Sequence, residues 1–554
     1  MPEKEDFVAG EAPVPDPLPP ASPRLDPGRA LSGREIALAA GVVMGAFVLS
    51  GFFGLVRQIV LASVFGAGRE LDAFYAALRP PETLFTLVAG GALGSAFIPV
   101  FSRLLNKDDF GGAWRLASAV LTLLMVIATT LAIVIFLLAE PIVDNILLPG
   151  AGANDQALTI ELMRIMLATV VLFGVSGMLM GILNAHQHFL TPALAPSMYN
   201  VGIILGAVAL QPTLGIHGLA WGAVLGAALH LGVQLPSLAR LPYFRVRPVF
   251  QLKTPGVIEV LSLMGPRLLG LMVVQINFWV NIALASTMPT GSLTALTTAF
   301  TLMFTVLGVL GQSLGTAVFP SLSALYAQED MKGFQRTLSG ALRNVLFLSI
   351  PAGLGMAILS RPIVAVLFER GEWTAADTSA TAWALVFYGI GLIGHAALEI
   401  LARTFYALHD TWTPVVVGGL AMALNVLLSL LFMVLFEELG ADSFTRGPFG
   451  GLALANSLAT AIESTVLWVI LQRRIPEVQP RAVVVSIVRT MLAALAMVGT
   501  VGLWLQVGEN VSVLVQLLVG IGLGAGVFWG VALLLRVPEA QSVPRQILSR
   551  LKRT

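Results

Sequence analysis

The sequence predicts an all-α polytopic membrane protein of about fourteen transmembrane helices. Two six-helix lobes form a parallel repeat around a central cavity, and two helices follow at the C-terminus. Three observations predict this class. Of 554 residues, 56% are hydrophobic and only 11% charged, with mean hydropathy +0.86; soluble domains carry about 25% charged residues. Apolar runs near the length of about 20 residues that a helix needs to cross hydrocarbon recur along the chain. Finally, the two halves share motifs in register.

Taken in order, residues 1–33 form a cytoplasmic tail with Pro2, Pro13, Pro15, Pro17, Pro19, Pro20, Pro23 and Pro27. Such a segment cannot bury a core and is expected to be disordered. It lacks the early apolar stretch of a signal peptide. The N-lobe, 34–236, holds apolar segments at 36–65, 73–102, 115–139, 159–184, 191–211 and 215–236. A basic cytoplasmic loop, 237–255, leads to the C-lobe, 256–473. Its segments lie at 257–288, 292–325, 336–359, 380–407, 413–436 and 450–472. Two more, 484–505 and 511–535, fall within 484–536. The basic tail 537–554 carries Arg545, Arg550, Lys552 and Arg553; it either lies along a membrane surface or is solvated.

Lysine and arginine set the orientation. Loops on the N-terminal side hold Arg103, Lys107, Arg240, Arg245, Arg247, Lys253, Lys332, Arg473, Arg474 and Arg481, whereas the opposite loops hold Arg69, Arg361, Arg370 and Arg446. The positive-inside rule places both termini in the cytoplasm. With no cysteine, disulfides, thiolate metal sites and cysteine nucleophiles are excluded. A net charge of +1 gives no indication of a nucleic-acid partner.

The repeat is read from matching strings. LGSAFIPVFS begins at Leu93 and LGTAVFPSLS at Leu314, an offset of 314 − 93 = 221. Thr191-Pro192 recurs at Thr413-Pro414, with 413 − 191 = 222, and Gly218-Leu219-Ala220 at Gly451-Leu452-Ala453. Six spans per repeat keep both halves in one orientation. That is a common transporter plan, in which two lobes rock about a cleft.

Charged residues inside apolar segments mark the candidate site. Arg57, Asp72, Arg79 and Glu82 flank the turn GAGREL. A charge at the centre of a spanning helix costs roughly 2.5–3.5 kcal/mol, so such residues face a polar cavity or a partner. Arg57 lies nine residues before Gly66, about 14 Å deep at 1.5 Å per residue. Arg267 lies at a similar depth beside Pro266, which bends its helix. Two permanently charged guanidinium forks on two lobes suit an anionic head group. The plainer alternative pairs them with Glu82, Glu399 or Glu463. His395, Glu399 and Arg403 share one helical face, as a proton relay or as a static Glu–Arg pair. Asn277, Asn281 and Asn425 either ligate a cation or bridge helices. His186 and His188 lack a third ligand nearby, so no metal site is expected. No P-loop, HExxH, GxSxG or aspartate-rich diphosphate motif is present, which argues against an enzyme.

The strings GLVRQIVLASVFGAGRELDAFYAA, GALGSAFIPVFS, GILNAHQHFLTPALAP, LGTAVFPSLS and YGIGLIGHAALEILARTFYALHDTWTP resemble the lipid II flippases. These are the MurJ (MviN) family of the multidrug/oligosaccharidyl-lipid/polysaccharide exporter superfamily. The resemblance runs from about Gly33 to the last span. It implies two six-span lobes, two C-terminal spans forming a lipid-facing groove, and movement of undecaprenyl-diphosphate-linked peptidoglycan precursor from the inner to the outer leaflet of the bacterial cytoplasmic membrane. No cofactor is implied; sodium, protons or the membrane potential would couple transport, and cell-wall synthesis proteins are the implied partners. Arg57 matches a cavity arginine and Asp72 the aspartate of the family's GAGxxxDAF motif. Gly51, Phe85, Thr86 and Thr301 stand where the family carries arginines, Gly90-Gly91 where it has Glu-Gly, and Gln58 where it has an acid. Arg267 lies three residues before Gly270, as Gly51 does before Gly54, so the missing guanidinium has a counterpart in the second lobe. Export of another polyprenyl-linked glycan or an amphipathic compound, and a non-transporting scaffold in cell-wall assembly, are the alternative functions.

Overall fold

The computed structural model describes residues 33–88, 91–241, 247, 249, 254–440, 443–475 and 480–541. The expectations for the N-terminal tail, most of the loop 237–255 and the C-terminal tail beyond residue 541 lie outside the described residues.

Every regular element among the described residues is helical. The first half comprises α1 (Gly33–Phe65), α2 (Arg69–Val88), α3 (Gly91–Leu105), α4 (Phe110–Leu137), α5 (Ala139–Ile142), α6 (Ala153–Met166), α7 (Ala168–Ala185), α8 (Leu190–Leu205), α9 (Gln211–Leu214), α10 (Ile216–Gly232) and α11 (Leu235–Ala239). The second comprises α12 (Val257–Ala285), α13 (Ser292–Leu307), α14 (Ser313–Ala327), α15 (Met331–Ile358), α16 (Ser360–Phe368), α17 (Ala375–Ala407), α18 (Trp412–Glu438) and α19 (Phe449–Arg474). A hairpin of α20 (Pro480–Val507) and α21 (Val513–Leu534) closes the chain. Single π-helical turns, Gly206–Leu210 and Gly308–Gln312, interrupt the α8–α9 and α13–α14 stretches.

Among the described residues, twelve helical stretches are long and apolar enough to cross a membrane, two fewer than expected. α3 and α12 enter that count only through the parts whose side chains are described, Ala96–Leu105 and Val274–Ala285, although α12 itself is continuous over 29 residues. α2 falls short because it carries Arg69, Glu70, Asp72, Arg79 and Glu82. It also holds Pro80 and Pro81, which deprive Ala76 and Ala77 of their helical donors.

The repeat is written into the backbone. Asp109 caps α4 by accepting from Gly112 N at 2.7 Å, and Asp330 caps α15 by accepting from Gly333 N at 2.8 Å. The residues just before these caps, Asp108 and Glu329, share left-handed φ values of 56° and 58°. Gln187 and His409 share 62° and 60°. Even the helix breaks agree: Leu138 and Leu359 both have φ −94°, with ψ 16° and 14°. Each pair lies 221 or 222 residues apart (329 − 108 = 221; 409 − 187 = 222), the register of the sequence motifs.

Packing follows from small residues where helices cross closely. Gly202 on α8 and Gly206 in the π turn that follows it meet Gly222 and Gly226 on α10, where added Cβ atoms would strike backbone. The terminal hairpin docks on α15 and α16. Glu539, just after α21, is 1% exposed; it pairs with Arg343 on α15 and accepts from Ser486 Oγ on α20 at 3.0 Å. Asp410, between α17 and α18, accepts from Thr413 N at 3.0 Å and Thr413 Oγ1 at 2.6 Å, and pairs with Arg474 at the end of α19. Burial alone would push its carboxyl up, but the Thr413 and Arg474 hydrogen bonds outweigh that and hold it down at about 2.

Two predictions follow from these end-of-helix contacts. Asp109→Ala and Asp330→Ala should each cost about 1 kcal/mol, and their double variant about the sum, by thermal unfolding in detergent. Because the Asp410 pKa is depressed, its contribution is full above the ordinary carboxylate value of about 4 and is lost as pH falls toward 2. Asp410→Asn should therefore flatten that part of the acid limb of the unfolding midpoint against pH.

Candidate functional site

The two halves meet on the face of the Gly66 turn, and α2 supplies the main contact. The Asp72 carboxylate accepts from Gly291 N at 2.6 Å, Thr294 N at 2.7 Å and Thr294 Oγ1 at 2.6 Å. Two of these donors are backbone amides at the start of α13 and the third is the Thr294 hydroxyl, so an acid from the first half caps a helix of the second. Beside it, Glu372 N donates to Ser63 O at 2.9 Å across the same seam. The approach is close: a Cβ at Gly66, where φ is +64°, would lie 2.6 Å from Glu372 O. One helix layer deeper, the buried amide of Gln58 donates to Tyr75 Oη at 2.7 Å and to Thr298 Oγ1 of α13 at 2.9 Å. Trp279 Nε1 on α12 donates to Thr83 Oγ1 on α2 at 2.9 Å. On the opposite face, Arg103 of α3 makes a bidentate pair with Glu259 of α12, at 2.6 and 3.2 Å, exposed to solvent.

Beneath the seam lies a cavity of about 420 Å³. Arg79, Pro81, Glu82 and Phe85 of α2 line one side, with Phe173 of α7, Tyr199 of α8, His230 of α10 and Gln275 of α12 around it. Arg79 donates to Glu82 Oε2 at 3.1 Å, and its guanidinium lies 4.6 Å from the centre of the Phe278 ring on α12. Such cation–π stacking leaves the guanidinium charged. Arg57 Nε is buried with no hydrogen-bond partner, and its charge is felt by the Tyr75 and Tyr199 phenols. The arrangement therefore sets one paired arginine on the cavity wall and a second, without a hydrogen-bond partner at Nε, close behind it.

The structure sorts the other expected residues by location. Asp72 belongs to the seam and does not line the cavity; Arg79 and Glu82 line it, and Arg57 lies outside the lining, near Tyr199. Arg267 lies on α12, and its side chain lies outside the described residues. Neither acid suggested as its partner holds an arginine from another helix. Glu399 is paired with Arg403 one turn on, and Glu463 carries no ion pair. His395 hydrogen-bonds Asn456 Oδ1 at 3.1 Å and makes no hydrogen bond to Glu399 one turn on. Asn425 Nδ2 donates to Asn277 Oδ1 at 3.1 Å and Asn281 Nδ2 to the same oxygen at 2.6 Å, so the three amides bridge α12 to α18. No cluster of three potential metal-binding His, Asp or Glu side chains occurs among the described residues. Tyr199, His230 and Gln275 escaped the sequence reading. Each sits in an apolar run whose register alone does not say which side faces a cavity.

Comparison with known proteins gives the same picture. A profile of the family described as "Lipid II flippase MurJ" matches residues 61–521. "Lipid II flippase MurJ" of Burkholderia cenocepacia is 31% identical over 439 residues, covering 78% of this chain and 83% of that protein. The chain belongs to the lipid II flippase MurJ family. "Probable lipid II flippase MurJ" of Vibrio cholerae is 32% identical over 522 residues, covering 90% of this chain and 96% of the relative. The solved structure "Lipid II flippase MurJ, inward closed conformation" superposes with a TM-score of 0.74 at 24% identity, covering 89% of this chain and 98% of the other. An inward-facing multidrug resistance MATE transporter of the MOP superfamily matches at 0.63 with 17% identity, over 78% of this chain and 95% of its own. The superfamily fold extends to both.

Within the family's arginine pattern, Phe85 and Thr86 put a ring and a hydroxyl on the cavity wall. Gly51 is exposed, and a Cβ there would meet nothing within 4 Å, so the site has room for a long side chain. The seam yields a direct prediction. Cysteines at exposed Glu70 and Thr290 can carry spin labels in this cysteine-free chain. Asp72→Ala removes three charge-assisted bonds, each worth about 1.5–3 kcal/mol. It should broaden the label distance toward longer values, while Asp72→Asn, keeping one acceptor, should lie between.

Proposed function

We propose that this chain flips lipid II, the undecaprenyl-diphosphate-linked peptidoglycan precursor, from the inner to the outer leaflet of the bacterial cytoplasmic membrane. Both termini lie in the cytoplasm on this reading, and the two lobes alternate access to the cavity. One observation carries it: a half-buried Arg57, whose Nε has no hydrogen-bond partner, near Tyr199 on the wall of the cavity that holds the Arg79–Glu82 pair, with a seam closed by hydrogen bonds between the lobes. A guanidinium fork binds phosphate bidentately, and such charge-assisted bonds are about twice as strong as neutral ones. The apolar walls formed by Phe85 and Phe173 suit the start of a polyprenyl chain. Seam bonds that are few and gathered on one carboxylate can break and reform together as the lobes rock. The names of the relatives support the substrate, and the fold supports transport rather than catalysis.

The test is complementation of cells depleted of their own lipid II flippase. The wild-type chain should restore growth. Arg57→Ala should lower flipping by about 10- to 100-fold, the equivalent of roughly 1.5–3 kcal/mol, at unchanged membrane abundance. Arg57→Lys should retain part of it, since ammonium keeps the charge and loses the fork. Full growth with Arg57→Ala would remove the anion-binding role, and failure of a well-expressed wild-type chain would point to a different glycan or to a scaffold.

A further inference from the structure

The repeat relates two ionisable residues within the spans, one buried (His230) and one half-buried (Glu463). Gly218 and Gly451 are equivalent in the two halves, with 451 − 218 = 233, and the same offset carries His230 onto Glu463 (463 − 230 = 233). Each side chain faces the same neighbour in its own lobe. His230 shares its cavity with Pro196 on α8. Glu463 points at Gly418 on α18, where a Cβ would sit 3.1 Å from its Oε1. Pro196 and Gly418 are themselves equivalent, since 418 − 196 = 222 is the Thr191–Thr413 offset. The two positions are therefore one position of the fold, filled by an imidazole in the first lobe and a carboxyl in the second.

Their surroundings differ in one decisive way. His230 is held by a hydrogen bond: its Nδ1 lies 2.6 Å from Ser176 Oγ, and Gln234 Nε2 donates to that hydroxyl at 2.6 Å and to the backbone His230 O at 3.0 Å. Glu463 has neither hydrogen bond nor ion pair. It lies at the fifteenth residue of α19 (Phe449–Arg474), about 21 Å from one end and about 16 Å from the other at 1.5 Å per residue. That is close to mid-membrane. A lone carboxylate there is costly and is kept mostly for function.

The helices packed on α19 supply no cation for it. α17 presents the Tyr406 phenol, with Arg403, Glu399 and His395 further along and Asp377 in its first turn; Arg403 is committed to Glu399, and His395 to Asn456 of α19, seven residues before Glu463. α18 has Glu437 and Glu438 only, at its far end, and α13 has no ionisable residue. Within α19 the other charges are Arg473 and Arg474 in the last turn. A metal cation requires several oxygen ligands, and no cluster of three acids or histidines exists among the described residues. A proton requires one. We propose that Glu463 is a proton-binding site of the second lobe, taking up and releasing a proton as α18 and α19 exchange surroundings during lobe motion. The protonated acid needs no counter-ion in hydrocarbon, and the ionised form becomes tolerable only when water reaches it. Loading of this carboxyl thus biases which lobe arrangement is stable.

The experiment uses the full chain in lipid nanodiscs without any glycolipid, so it stands apart from the substrate assignment. Infrared difference spectra are recorded while pH is stepped between about 5 and about 9. The wild type should show a protonated-carboxyl C=O band that grows on acidification. Glu463→Gln should lose it, Glu399→Gln should keep it, and Glu463→Asp should keep it at a shifted frequency. The aspartate variant also keeps the test decisive if the glutamine variant loses its helical circular dichroism. A band unchanged in Glu463→Gln, no titrating band in the wild type, or a band that moves with sodium at fixed pH would each overturn the proposal.

Discussion

Closure of the two lobes depends on one carboxylate. Asp72 reaches from α2 to the start of α13 and satisfies amides that the helix itself cannot. The helix dipole adds to the attraction, since an N-terminus carries about half a positive charge. The bond is possible only because the chain comes very close at Gly66, Gly291 and Gly371, where a side chain would strike backbone of the other half. The GAG turn is therefore a seat for the opposite lobe as much as a connection between α1 and α2. Its hydrogen bonds are strong enough to hold one face shut and few enough to be released together.

The repeat builds two lobes from one plan and then fills them differently. Caps, left-handed residues and helix breaks coincide at Asp109 and Asp330, Gln187 and His409, Leu138 and Leu359. Charge does not coincide. α2 carries Arg79 and Glu82, whereas its counterpart α13 has no ionisable residue. The first lobe holds the groups suited to an anion, and the second holds a lone acid at Glu463. Such an asymmetric filling of a symmetric frame lets the two lobes answer different ligands while moving as equivalent bodies.

Several charges are structural in the plain sense. Glu399 with Arg403 and Glu539 with Arg343 are paired within the second half or with the terminal hairpin. The Glu539 pair, with Ser486, fixes α20 and α21 onto α15. Arg103 and Glu259, though bidentate, are exposed, and pairs of that kind contribute about 0–1 kcal/mol. On that side the attachment rests instead on apolar packing of α3 against the start of α12, where Val100, Val257 and Val260 are buried.

The sequence alone determined the membrane class, the helical composition, the repeat and the family resemblance. Those depend on local quantities: apolar run length, the positions of glycine and proline, and motifs at a constant offset. It also marked Arg57, Arg79 and Glu82, because a charge in an apolar run is conspicuous without coordinates. Only the tertiary structure decided which charges were spent and which were free. Glu399 and Glu463 look alike in sequence, yet one has an arginine a turn away that turns toward it and the other has none. Asp72 reads as a site residue by motif, and its partners lie more than two hundred residues on, at Gly291 and Thr294. Tyr199, His230 and Gln275 were invisible because helical periodicity reports a face, and only the packing of the lobes decides whether that face meets lipid, another helix or a cavity.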